Sequence, residues 1–132
     1  MTKKRKRKLG LRYDQGRRYE YQAIKKLKNL GFQMVIRSAR SQGIFDILAI
    51  KGDKRTRKIK EIRCVQVKST LSNFPFRSVF SKNEREKILN NKSIPIIAKN
   101  IFYEIWVWRI RKGWNIYRLN WKTKEFEKIK GA

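Results

Sequence analysis

Apolar residues recur along this chain at two spacings, and the change from one to the other divides it into elements. Over residues 14–30, Tyr19, Ala23, Ile24, Leu27 and Leu30 fall at helical spacing, with Lys25, Lys26 and Lys28 on the other faces. Gly31 follows where a left-handed cap would end the helix. Residues 32–37, 44–50 and 61–69 then read as three strands, and Lys51-Gly52-Asp53 starts the turn between the last two. Beyond a loop containing Pro75, the pattern predicts a short helix over 83–91 and a strand over 94–98 that tolerates Pro95 near its start. A hairpin of 103–110 and 115–119 turns through Lys112-Gly113. The order of elements predicts an α/β fold. With 132 residues, one core suffices: residues 1–12 read as a flexible basic arm and 13–132 as a single domain.

Charge narrows the partner. Thirty-six Lys and Arg against ten acidic residues give a net charge of +26. Subtracting the six charges of Lys3-Lys4-Arg5-Lys6-Arg7-Lys8 still leaves +20, so the excess belongs to the body as well as to the arm. Nucleic acid is the expected polyanion, because each phosphate neutralised by Lys or Arg releases condensed counterions. A nuclear-localisation signal is a further reading of the arm. No stretch approaches the roughly 20 apolar residues that span a bilayer, and the basic N-terminus runs into Gly10, Arg12 and Asp14 instead of an apolar leader. A cytoplasmic protein of prokaryotic or viral source is expected.

The inventory excludes whole classes of chemistry. Cys64 is the only cysteine and histidine is absent, so structural zinc, disulfide frameworks and Ser/His/Asp or Cys/His catalysis are out. What remains is carboxylate, amide and lysine chemistry with a hard cation such as Mg2+. Asp46 stands out because it sits among Ile44, Phe45, Ile47 and Leu48. Buried without a partner it would cost several kcal/mol, so a cation is expected beside it. On the next strand, alternation puts Ile62, Cys64, Gln66 and Lys68 on one side and Arg63, Val65 and Val67 on the other. If Asp46 faces Gln66 and Lys68, an acid, an amide and an ammonium converge at one end of the sheet, and Glu20 on the first helix completes the set. Each residue alone also has an ordinary reading: an ion pair for Asp46, a snorkelling stem for Lys68, a buried amide for Gln66, a helix-dipole acid for Glu20.

The order of a helical Glu, an Asp after a strand and turn, and a strand carrying Gln-x-Lys resembles the PD-(D/E)XK nuclease superfamily. Within it, Gly16-Arg17-Arg18-Tyr19-Glu20, Gly31-Phe32, Val35, Arg37-Ser38-Ala39-Arg40-Ser41, Asp46-Ile47-Leu48-Ala49, Cys64-Val65-Gln66-Val67-Lys68-Ser69-Thr70 and Ile94-Pro95-Ile96-Ile97-Ala98 are similar to the archaeal Holliday junction resolvases. The resemblance covers roughly residues 16–98. It implies a restriction-endonuclease-like mixed β-sheet flanked by helices, a homodimer, and cutting of four-way or other branched DNA with Mg2+, for which Mn2+ substitutes. It makes Glu20, Asp46, Gln66 and Lys68 the catalytic set, with Asp46, Gln66, the Val67 carbonyl and Glu20 on the metal. Arg17, Arg18, Arg37, Ser38, Arg40, Ser41 and Ser69 become the DNA contacts. Three features depart from the pattern: Phe45 replaces the proline, Tyr21 replaces a basic residue, and Gln66 replaces the usual Glu. An amide oxygen binds a hard cation more weakly than a carboxylate does. Mrr-like restriction enzymes and VRR-type repair nucleases also use Gln there, and they are one alternative. A nucleic-acid-binding protein that has lost catalysis on the same fold is another, and an RNA-directed basic protein a third.

Two further patterns have ordinary readings. Trp106 and Trp108 share one face of a strand, and Trp114 and Tyr117 follow in the partner strand, which predicts a hairpin core, with a dimer surface or base stacking as alternatives. Five basic residues among the seven of 54–60 read as a solvated hairpin tip that also meets phosphate.

Overall fold

The structure is a computed structural model and describes residues 17–38, 45–71, 74–95 and 99–129. Helix α1 covers 17–29 and buries Ala23 and Leu27, one turn apart. It ends as Gly31 predicts. With φ at 97°, Gly31 donates to Lys28 and lets Phe32 donate back to Leu27, the paired bonds of a Schellman cap.

From there the chain runs through three antiparallel strands, β1 (Met34–Arg37), β2 (Ile47–Gly52) and β3 (Ile59–Thr70). A crossover carrying α2 (Phe76–Val79) and α3 (Lys82–Leu89) leads to β4 (Ile101–Arg109), which pairs with β3 in parallel. Strands β5 (Gly113–Asn120) and β6 (Glu125–Ile129) complete an antiparallel meander. The six strands lie in the sheet in chain order, so the fold is α/β with a mixed sheet.

Each face of the sheet carries its own core. On one, Ala23 and Leu27 of α1 meet Ile47, Val65, Trp106 and Ile116. On the other, Phe80 and Ile88 from the crossover meet Tyr103, Ile105, Leu119 and Phe126. The tryptophans pack as expected: Trp106 is fully buried, and Trp114 stands edge-on to both Trp106 and Trp108.

The structure corrects several expectations. Strand β2 begins at Ile47 rather than Ile44 and runs on through Gly52. The strand expected over 94–98 is not formed at Ile94 and Pro95, while residues 96–98 lie outside the described residues. Ile94 closes a turn by donating to Asn91, and the Pro95 carbonyl accepts the Tyr103 hydroxyl, so this segment braces β4 from the side. Strand β6 and the single turn of α2 were not expected. The basic arm, 1–12, also lies outside the described residues.

All three described hairpin tips contain a basic residue with positive φ: Arg57 at 63°, Arg111 at 69° and Lys124 at 61°. The parallel β3–β4 pairing decides where these tips lie. The β2–β3 and β5–β6 tips fall at one end of the sheet, and the β4–β5 tip falls at the other, beside the C-terminus of β3.

Candidate active site

Asp46 sits where β2 departs from its neighbours. Phe45 turns its ring to Tyr103 on the crossover side, 5.2 Å between centroids, whereas Ile47 is buried on the α1 side. The backbone bends between them. Asp46 accepts from the Ser38 N–H, donates to the Val65 carbonyl, and takes the Val67 N–H on its carboxylate Oδ2, each at 2.8 Å. A single residue thereby joins β1, β2 and β3.

Burial raises the pKa of the Asp46 carboxyl above its ordinary 3.8. The Val67 N–H opposes that, the charge of Glu20 adds to it, and Lys68 and Arg37 act more weakly in the lowering direction. The cation expected beside Asp46 is therefore not its immediate partner. A backbone amide is, with the two cations further off. Of the expected set, Glu20 and Lys68 are close enough to act on Asp46, as is Arg37.

The other members approach this end from both faces. Glu20, from α1, receives the Arg37 Nε at 2.6 Å, and the Arg37 guanidinium also lies 5.5 Å from the Tyr21 ring centroid. Arg37, expected near DNA, thus also holds Glu20. Gln66 and Lys68 share a face of β3, as alternation predicts. That face is the crossover side, since Cys64 packs into its core and Lys68 forms an ion pair with Glu84 of α3 at 2.8 Å. Asp46, at the bend, stands between Glu20 on one side and Gln66 with Lys68 on the other.

Of the expected DNA contacts, Arg17 and Arg18 are exposed on the first turn of α1 beside Tyr21, Gln22 and Lys25. Ser38 closes β1, and Ser69 is exposed two residues beyond Val67. Arg40 and Ser41 lie outside the described residues. The basic tip at 54–60 is at the far end of β3, about 27 Å from Val67 at strand rise.

Whether these residues suit a divalent cation depends on the donor set. Among the described residues no group of three or more His, Cys, Asp or Glu gathers. Glu20 and Asp46 nevertheless supply two carboxylates, the charge of Glu20 disfavouring that of Asp46, with Gln66 and Val67 on the stretch of β3 that Asp46 bonds. A hard cation relieves that repulsion and prefers such oxygens, so the set fits Mg2+. Burial, with Glu104 adding, pushes the Cys64 thiol up to about 11, which disfavours the thiolate at neutral pH.

Two acids escaped the sequence reading. Glu104, fully buried in β4, accepts from Trp106 Nε1 at 3.0 Å and Arg118 Nε at 2.8 Å, with Arg63 Nη1 at 3.5 Å. The signal that marked Asp46, a carboxylate inside an apolar run, marks it too. Glu84 is the fourth residue of Ser81-Lys82-Asn83-Glu84, a capping-box sequence that starts α3; its N–H does donate to Ser81 Oγ at 3.2 Å.

No protein-family model matches this chain, and comparison with the curated proteins found no match.

Proposed function

We propose that this chain is a metal-dependent endonuclease of restriction-endonuclease-like fold that cuts DNA at four-way or other branched structures and works as a homodimer. The observation that carries the reading is Asp46: a half-buried carboxylate at the diverging end of β2 and β3, subject to the charges of Glu20 and Lys68. A mixed sheet with helices on both faces is what that fold requires, and the +26 charge favours a phosphate polymer.

Asp46, the Gln66 side-chain oxygen and the Val67 carbonyl would hold Mg2+ or Mn2+, with Glu20 reaching it directly or through water. A cation held there would supply Lewis-acid polarisation of the phosphate and would lower the pKa of water so that hydroxide is available at neutral pH. The remaining work falls to side chains. The Lys68 ammonium orients the attacking water and stabilises the charge that grows on the phosphate. Arg17, Arg18, Ser38 and Ser69 grip flanking phosphates, and their contacts carry no base specificity. Val67 N–H keeps the Asp46 oxygens aimed while the carboxylate is charged.

A second reading, DNA binding without cleavage, is favoured by the ion pairs that occupy Glu20 and Lys68 and by the neutral Gln66. Incubating four-way junction, linear duplex and hairpin RNA with and without Mg2+ separates the two. Cleavage of the junction that needs the metal, and that is lost in Asp46→Ala and Lys68→Ala proteins with DNA affinity retained, is the expected result. Undiminished cutting by both variants removes the assignment. Sequence-specific cutting of linear duplex instead favours an Mrr-like or VRR-like enzyme.

A further inference from the structure

Lys68 has a partner that its own strand does not supply. Its Nζ lies 2.8 Å from Glu84 Oε2 as an ion pair, and that oxygen is sealed from solvent and accepts no hydrogen bond from the described residues. In a closed capping box the Glu84 carboxylate would turn back to the Ser81 N–H; here it extends to β3. The helix that presents it is fixed at both ends. Ser81 caps the first turn, Ile88 is fully buried in the crossover-side core, and Arg85 Nη1 meets Glu125 Oε2 of β6 at 2.7 Å. Glu84 is therefore a charge on a rigid mount, whereas Lys68 is a charge on a flexible four-carbon stem.

An ion pair with both side chains about a third exposed adds little to fold stability. What Glu84 changes is where the ammonium sits. Electrostatic stabilisation of a transition state depends on charge aimed in advance, and a lysine free to wander provides little of it. The contact is one of charge rather than of a directed hydrogen bond, so the ammonium keeps its N–H donors for water and phosphate.

We propose that Glu84 is a positioning residue: it holds the Lys68 ammonium at the Asp46 end of β3, and through Lys68 it sets the rate of phosphodiester cleavage without touching DNA. This rests on the nuclease reading above.

The test compares wild type, Glu84→Gln, Glu84→Asp and Lys68→Ala. Thermal melts establish that each is folded, four-way junction affinity is measured in EDTA, and single-turnover cleavage is measured in Mg2+ with protein in excess. Glu84→Gln is expected to cut about 10- to 100-fold more slowly, with junction affinity unchanged or slightly tighter and the melt close to wild type. Glu84→Asp, which keeps the charge on a shorter stem, recovers part of the rate. If Glu84→Gln cuts at the wild-type rate while Lys68→Ala is impaired, the positioning role falls and the nuclease reading stands. If Glu84→Gln and Glu84→Asp are equally slow and both melt early, the residue is structural and the proposal also falls. A wild-type protein that cuts nothing with Mg2+ or Mn2+ removes both.

Discussion

Asp46 carries its charge against the preference of its surroundings, and that has a measurable consequence. Because burial raises its pKa in the folded protein above 3.8, the folded state holds the proton more tightly than the unfolded chain. The stability this contributes is fully present below the unfolded value and is lost as pH rises through the folded one. In EDTA at pH 7, Asp46→Asn, which can still accept from Val67 N–H, should melt a few degrees above wild type, the shift that about 1 kcal/mol produces in a domain of this size. At pH 3.5 the two should coincide, and at pH 7 added Mg2+ should stabilise only the wild type. Equal melting at both pH values in EDTA would show that the carboxylate sits there without strain. Asp46 was legible in the sequence because a lone acid in an apolar run has few inexpensive explanations. The partner of Lys68 was not, since the path of the crossover places Glu84 beside β3, and side-chain alternation along a strand contains no information about that path.

Among the elements, β4 is held from inside by charge. Glu104 joins β3 through Arg63 and β5 through Arg118, so one acid bonds the central strand to both neighbours. Removing one member of a buried ionic group leaves the others uncompensated. Glu104→Ala should therefore lower the unfolding free energy in urea by about 3–5 kcal/mol, and a loss under 1 kcal/mol would mean that water reaches the arginines. The long strands and α1 could be read from the sequence because their periodic patterns extend over many residues. Strand β6 could not, since Phe126 is the only buried residue in Glu125–Ile129. The four residues of α2 are fewer than any helical period needs. At 94–95 the β-rich composition misled, because Pro95 lacks an N–H and the Asn91–Ile94 turn had already taken the backbone elsewhere.

For the molecule as a whole, the single parallel pairing divides the basic surface into two ends. Arg17 and Arg18, Arg37, and the β4–β5 tip lie at the Asp46 end, and the 54–60 and β5–β6 tips lie at the opposite one. Composition led us to propose a polyanion partner but is silent on which end would receive it. Topology makes that question answerable, through the three hairpin tips. A left-handed residue other than glycine costs roughly 1 kcal/mol, yet each of those tips places an arginine or lysine in that conformation, at Arg57, Arg111 and Lys124. Glycine at any of the three should make the protein harder to melt. Only Arg111→Gly should also weaken junction binding, with the salt slope falling by about 1, while Arg57→Gly and Lys124→Gly gain heat resistance at no loss of grip. The reverse pattern would move the docking face to the far end. Read this way, the turns record a concession: the chain accepts a less comfortable backbone in exchange for cations at its corners, and a designer who wanted only robustness could take that margin back.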